Sequence, residues 1–234
     1  TQSRSSAASD VYKRQFLGSI NGALVGAGGF FGPILPNLVM PVARLYMRKM
    51  VGHLVLDAES DALNKILDKA AESGEQLNLN LLGEAVLGEE EAKSRAQRTL
   101  KLIQNPRVTY VSVKASSMVA QLNHWDIDGS VERLKERLRP LYQAAADRTD
   151  KVFINMDMEE YHDLHLTIRL FKELLSEPEF LTLDAGIVLQ AYLPDTFDAL
   201  KDVADFAKER VAKGGGKVKA VSYTHLTLPT IYSV

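Results

Sequence analysis

The apolar positions of this chain change period several times. From Ser60 to Ala71, Leu63, Ile66, Leu67 and Ala70 fall on one helical face, and the stripe stops at Ser73-Gly74. Gln76 to Leu82 then alternates, with Leu77, Leu79 and Leu81 on one side and Asn78 and Asn80 on the other, which predicts a strand. Helical period returns over Glu89 to Ile103, with three glutamates at the positive N-terminal end and Lys101 in the last turn. Asn105-Pro106 closes that helix, and Val108 to Val113 is a second strand. Ser130 is placed to cap a helix carrying Val131, Leu134, Leu138 and Leu141, which Pro140 should kink. Val152 to Met156 reads as a third strand. Tyr161 to Leu175 reads as a helix with Leu164, Ile168, Phe171 and Leu175 on one face. Ala185 to Ala191 is a near-continuous apolar run suited to a parallel sheet. Pro194 opens a helix with Phe197, Leu200, Ala204 and Ala207, ended by Gly214 to Gly216, and Lys217 to Val221 begins a fifth strand.

Strands that alternate with helices through right-handed crossovers form a parallel α/β sheet. Two architectures fit, a barrel of βα units and an open sheet with helices on both faces. No GxGxxG or GxxxxGK[ST] follows the first strand, which weakens the nucleotide-binding open sheet. The barrel is the expected fold: a partial (βα)8 TIM-type barrel of about four βα units plus the start of a fifth strand. It would occupy residues 75–220, behind a helical N-terminal segment over 16–74.

The ends read differently. Gln2 to Gln15 is Ser/Ala-rich with scattered charge, and has no apolar period and no hydrophobic region of a signal peptide. Residues 221–234, VSYTHLTLPTIYSV, follow a strand start without helical continuation. Both 1–15 and 221–234 resemble translated linker sequence at the edges of assembled genes, which would leave 16–220 as the natural part. The expectation is then a fragment that is inactive alone. Phe16 to Ala43 holds no charged residue, a length that would suit a membrane span. It also holds five glycines between Gly22 and Gly32, and Pro36 and Pro41 would each break a continuous helix. A helical hairpin against a partner surface or a membrane interface is the expectation, with Pro41 in the first turn of a helix that begins near Val42.

Composition narrows the field only a little. The 234 residues are 46% hydrophobic and 25% charged, with a formal net charge of −2, so no bulk electrostatic signal points to nucleic acid. There is no cysteine, which removes disulfides, thiolate metal sites and a cysteine nucleophile and fits a cytoplasmic home.

In a barrel the C-terminal strand ends gather on one face and carry the chemistry. Here they carry Glu84, Lys114, Asp157 and Gln190. Lys114 can hold a carboxylate or phosphate, act as a Schiff-base nucleophile if desolvated, or stay a solvated strand-end lysine. Asp157 with Glu159 and Glu160 can serve a metal, a base or a ligand hydroxyl, or favour the helix N-terminus that follows. Gln190 both donates and accepts, as the edge of a flat heterocycle requires. Glu84 can pair with a cation or cap a helix. His162 and His165 lie three apart with no facing ligand set, and read as surface or packing residues. His124-Trp125 reads as structural.

Four segments, LNLNLLGEAVLG, VSVKASS, INMDMEEY and GIVLQAYLPD, together resemble proline dehydrogenase, particularly the proline dehydrogenase domain of the bifunctional proline utilisation enzymes. The resemblance covers roughly residues 16–220, including MRKMVGHLVLDAE. It implies a (βα)8 flavin barrel that oxidises L-proline to Δ1-pyrroline-5-carboxylate by passing a hydride to FAD, whose electrons go to a quinone at the membrane. It implies a cytoplasmic enzyme, or one peripheral on the inner face of the plasma membrane, that requires no metal. Carried over, Lys114 contacts the substrate carboxylate, and Asp157 lies near flavin and substrate with Met158 beside it. Gln190 hydrogen-bonds the isoalloxazine, and Glu84 pairs with a substrate-binding arginine. Lys219 stands where the family has an arginine that reaches the flavin, a poor substitute for a planar multi-donor group. The family's final helix with its paired arginines has no counterpart here. The competing readings are a Schiff-base or metal-assisted lyase on the same barrel, using Lys114 and Asp157 with Glu159, and a non-catalytic membrane-associated module centred on Phe16 to Ala43.

Overall fold

The computed structural model describes residues 29, 36–51, 61–81 and 86–223, and the chain divides into two units, Thr1–Asp57 and Ala58–Val234. In the first unit one helix, α1 (Pro36–Val51), is described. Pro36 rather than Pro41 opens it. At the first position the missing N–H would have had no partner, whereas Pro41 sits in the second turn and forfeits one bond, to the carbonyl of Asn37. The helix tolerates that single loss, so Pro41 does not break it. Most of the expected hairpin, residues 1–15 and Glu84 lie outside the described residues. Among the described residues no helix is long and apolar enough to cross a membrane.

The second unit runs α2 (Asp61–Glu72), β1 (Leu79–Asn80), α3 (Glu89–Gln104), β2 (Tyr110–Lys114), α4 (Ile127–Asp147), β3 (Phe153–Asp157), α5 (Leu164–Ser176), β4 (Ala185–Gln190), α6 (Thr196–Ala212) and β5 (Val218–Tyr223). All strand pairs are parallel and the spatial order is β1-β2-β3-β4-β5. That order excludes the open-sheet competitor. With crossovers of one hand and no reversal of strand order, every connecting helix lies on the same face, which is how a barrel wall is built. A doubly wound sheet needs a reversal.

Burial follows. Val111, Val113, Ile154, Met156, Ala185, Ile187 and Leu189 share one face of the sheet and are buried, as are Leu134, Leu138, Leu141, Leu170, Phe171 and Leu174 of the helices. Asn80, Ser112, Lys114, Asn155, Asp157, Gly186, Gln190 and Lys219 alternate with them and share the other face, the inner face of a barrel.

Three local expectations change. Asp126, not Ser130, caps α4: its Oδ1 accepts from Gly129 N at 3.0 Å. Ser130 lies inside the helix, where its hydroxyl donates to Asn123 O and accepts from Asn123 N, so it ties down the preceding loop. α4 runs on through Pro140 to Asp147. In α6 the buried residues are Thr196, Ala199, Val203 and Arg210, while Phe197 and Leu200 are exposed. The helix starts two residues after Pro194 and is turned away from the stripe that the apolar pattern suggested. β5 extends past Val221, and Ser222 and Tyr223 pair with Leu189 and Gln190.

Candidate active site at the carboxyl ends of the strands

The ladder places Lys114 directly opposite Asp157, and Gln190 opposite Tyr223. Asp157 is the hub of a polar layer. It accepts from Asn155 Nδ2 at 2.6 Å, Asn80 Nδ2 at 3.2 Å and Ser112 Oγ at 3.3 Å. Asn78 Nδ2 and Asn155 Nδ2 in turn reach Ser112 Oγ at 2.9 and 3.3 Å. Burial is the largest influence on the Asp157 carboxyl and pushes it above the ordinary carboxylate range. Hydrogen bonds from Asn155 and Ser112 and the charge of Lys114 pull the other way without cancelling it, and Glu159 adds to the rise.

Glu159 joins the two halves of this group. Its Oε1 pairs with Lys114 Nζ at 2.7 Å, and its backbone carbonyl accepts from Gln190 Nε2 at 2.8 Å. Gln190 Nε2 also donates to Tyr223 Oη at 2.9 Å. The alternation of β3 explains the arrangement, because it continues past the last ladder residue. Asp157 points inward, Met158 returns to the helix side and is buried with 2% exposure, and Glu159 comes back to the inner face.

The structure therefore brings Lys114, Asp157 and Gln190 together, linked by Glu159. Met158 packs in the core beside them rather than within the polar group. Lys219 lies opposite Gly186, four residues before Tyr223 and so about 13 Å down the strand from the Gln190 layer. Its Nζ sits 5.2 Å from the Tyr110 ring centroid and 6.0 Å from that of Phe153, two rings packed edge to face.

Sequence reasoning passed over Ser112, Asn155 and Tyr223. The signal for the first two was present: each is a polar residue between two apolar ones in VSV and INM, the mark of a strand with one polar face. Tyr223 stood in the segment set aside as a linker.

The residues suit a flat, hydrogen-bonding cofactor. Asn155 Oδ1 is buried and accepts no hydrogen bond among the described residues. Both described partners of Gln190 use its Nε2, so its amide oxygen remains as an acceptor beside the Tyr223 hydroxyl. Acceptors on a polar barrel lining are what the N–H edge of a heterocycle requires.

Residues 62–219 match the family model for proline dehydrogenase. The chain is 29% identical over 203 residues to the bifunctional protein PutA of Klebsiella aerogenes, covering 80% of this chain and 15% of that protein. Among solved structures, proline utilization A from Corynebacterium freiburgense is 65% identical with a TM-score of 0.72, covering 78% of this chain and 19% of that one. Proline utilization A from Bdellovibrio bacteriovorus, inactivated by N-propargylglycine, is 34% identical with a TM-score of 0.59, covering 67% and 18%. The chain thus spans less than a fifth of the length of each of these relatives. On the match over 62–219, together with the parallel sheet and its inner polar face, the chain belongs to the proline dehydrogenase family.

Proposed function

We propose that this chain supplies the first strands of a flavin site that oxidises L-proline to Δ1-pyrroline-5-carboxylate, with FAD as the flavin and a membrane quinone as the final acceptor. The observation that carries this reading is the shared inner face of Lys114, Asp157 and Gln190, joined through Glu159, in a chain of this family. A bound flavin supplies the two-electron acceptor, which no side chain offers. The chain's own residues bind and orient.

Lys114 is the cation for the proline carboxylate. Its present partner, the exposed Glu159 carboxylate, shows how an anion sits there, and substrate would take that place. Gln190 is held by two hydrogen bonds through Nε2, which orients its oxygen toward a ring N–H. Asp157, braced by three donors, holds an acceptor close to Lys114 and limits the positions that a bound ring and substrate can take.

The test joins residues 16–223 to the remaining barrel of a family member and measures FAD retention and proline-dependent dye reduction. Lys114→Met should raise the proline KM strongly, a loss of about 2–5 kcal/mol for a desolvated charge pair, while FAD stays bound. Gln190→Ala should instead weaken FAD retention or shift the flavin spectrum. Unchanged proline kinetics in Lys114→Met would remove Lys114 from the substrate site. A protein that binds no flavin would remove the reading.

A further inference from the structure

His124 and His162, read from sequence as unrelated, face each other across two loops. Their rings lie 4.5 Å apart between centroids at an interplanar angle of 89°. His124 comes from the turn before α4. His162 comes from the short 3-10 turn Tyr161–Asp163 that precedes α5. Between them lies the Asp163 carboxylate. Its Oδ1 is 3.3 Å from His124 Nε2 and 3.8 Å from His162 Nε2. The Asp163 side chain is only 7% exposed, and Oδ1 is a buried oxygen that accepts no hydrogen bond among the described residues. Glu160 stands at the rim, its Oε2 2.9 Å from His162 Nε2.

We propose that His124, His162 and Asp163 form a divalent-metal site of the zinc class that ties the β2–α4 loop to the β3–α5 connection. Ligand atoms on a tetrahedral zinc, at Zn–N and Zn–O lengths of 2.0–2.1 Å, stand about 3.3 Å from one another. One of the two Nε2–Oδ1 separations is already at that value and the other is half an ångström longer. The three ligand atoms all lie within 4.8 Å of one another, so small side-chain rotations close the set. Two imidazoles and one carboxylate suit zinc and its neighbours in the transition series better than magnesium or calcium, which prefer all-oxygen shells. Glu160 stands outside this group of three, at 2.9 Å from His162 Nε2, so water takes the fourth position.

A buried carboxylate oxygen without a hydrogen bond is costly unless a cation meets it, and the metal supplies that cation. The site is independent of the flavin reading. It does brace the same connection, since Glu160 follows the Glu159 that holds Lys114 and Gln190.

The experiment is zinc titration of the metal-free chain against a chromophoric chelator at neutral pH, with thermal melting in parallel. One equivalent should bind and raise the melting temperature. His124→Gln and His162→Gln, both at partly exposed positions, should each weaken binding by at least about tenfold and abolish the thermal shift. His165→Gln, one helical turn away, should change neither, and magnesium should not compete. Absence of stoichiometric zinc binding overturns the proposal. Binding that is insensitive to His124→Gln and His162→Gln, or as sensitive to His165→Gln, also overturns it.

Discussion

The two ends of the sheet use their cations in opposite ways. At the amino-terminal end, Arg148 gives Nη1 to the carbonyls of Ile103, Asn105 and Val108 at 2.8–2.9 Å and Nη2 to that of Pro106 at 3.0 Å. Arg210 gives Nε to Gly216 O at 3.1 Å, Nη2 to Phe180 O and Leu183 O at 2.7 and 2.8 Å, and Nη1 to Leu175 O. Each guanidinium gathers the loose carbonyls of a helix end and the loop that leads into a strand. At the carboxyl end, Lys114 rests on the exposed carboxylate of Glu159, and in the layer below Asn155 keeps a buried oxygen unpaired among the described residues. At the amino end the guanidiniums are taken up mainly by backbone carbonyls that no ligand can replace, Arg148 holding the exposed Asp150 carboxylate as well. The carboxyl end is held by side chains that a ligand can displace. The division matches the general allocation of stability and chemistry to opposite faces of such barrels.

The largest expected effect lies at the amino end. Arg210→Met should keep most of the packing while stranding the carbonyls of Leu175, Leu183 and Gly216, Phe180 O keeping its bond from Leu183 N, so stability should fall by about 3 kcal/mol or more. Denaturant unfolding would show this as a lower midpoint with unchanged slope. A loss below about 1 kcal/mol would mean that water replaces the guanidinium, and the contrast between the ends would lose its basis.

Gly186→Ala probes the polar layer of the inner face. A Cβ at 186 would overlap Asn155 Oδ1 and crowd the Phe153 ring at 3.0 Å. We expect a loss of about 1–3 kcal/mol from overpacking, and in the joined barrel a disturbed Asp157 through its Asn155 donor. A neutral result in both measurements would mean that this layer rearranges freely.

The two ends should also titrate with opposite sign. Glu177, hydrogen-bonded to Arg139 at 2.7 and 2.9 Å, is held below the ordinary glutamate range, first by those bonds and further by the charges of Arg139 and Lys135, against the opposing effect of burial. A lowered carboxylate contributes stability that is present above its unfolded pKa of about 4.3 and is lost as pH falls through the folded value. Asp157 is raised, mainly by burial. Its contribution is present below its unfolded pKa of about 3.9 and is lost as pH rises through the folded value. Acid titration of stability should therefore show Glu177→Gln losing most relative to the parent near neutral pH and least in acid. Asp157→Asn should improve relative to the parent as pH rises. The same slope in both variants would contradict the assignment.

Much of this was legible in the chain because strand periodicity is blunt and redundant. VSVK, INMD and GIVLQ set both the helix-facing core and the inward polar positions, and Lys114, Asp157 and Gln190 emerged where strand ends must be. What escaped depends on contacts between distant segments. The arginine clamps join residues 27 to 45 positions apart, apart from the local Gly216 contact, and a lone arginine near a helix end looks solvated in sequence. His124 and His162 are separated by a whole strand and helix, so their convergence has no local signature. Ser130 and Asp126 are both good caps, and only the turn geometry chooses between them. The face that α6 buries includes Arg210, bonded to the loop before β4, and leaves Phe197 and Leu200 outside, a choice the apolar pattern does not show.

The smallest expected effect tests whether the amino end is satisfied throughout. Tyr142 in α4 is fully buried, with its ring 5.8 Å from that of Phe180, and its hydroxyl has no hydrogen-bond partner among the described residues. Burial pushes that hydroxyl well above the ordinary tyrosine range, opposed by the nearby charge of Arg210. A buried hydroxyl without a partner carries a desolvation cost and returns nothing for it, whereas the ring fills its space in either case. Tyr142→Phe should therefore leave stability unchanged or raise it by up to about 1 kcal/mol, with the same unfolding slope. It should leave the Arg210→Met loss undiminished when the two are combined, because the guanidinium spends its bonds on carbonyls and not on this oxygen. A loss above about 1 kcal/mol in Tyr142→Phe would show that an ordered water serves the hydroxyl. The amino end would then be partly solvated, and the difference between the two ends would be one of degree.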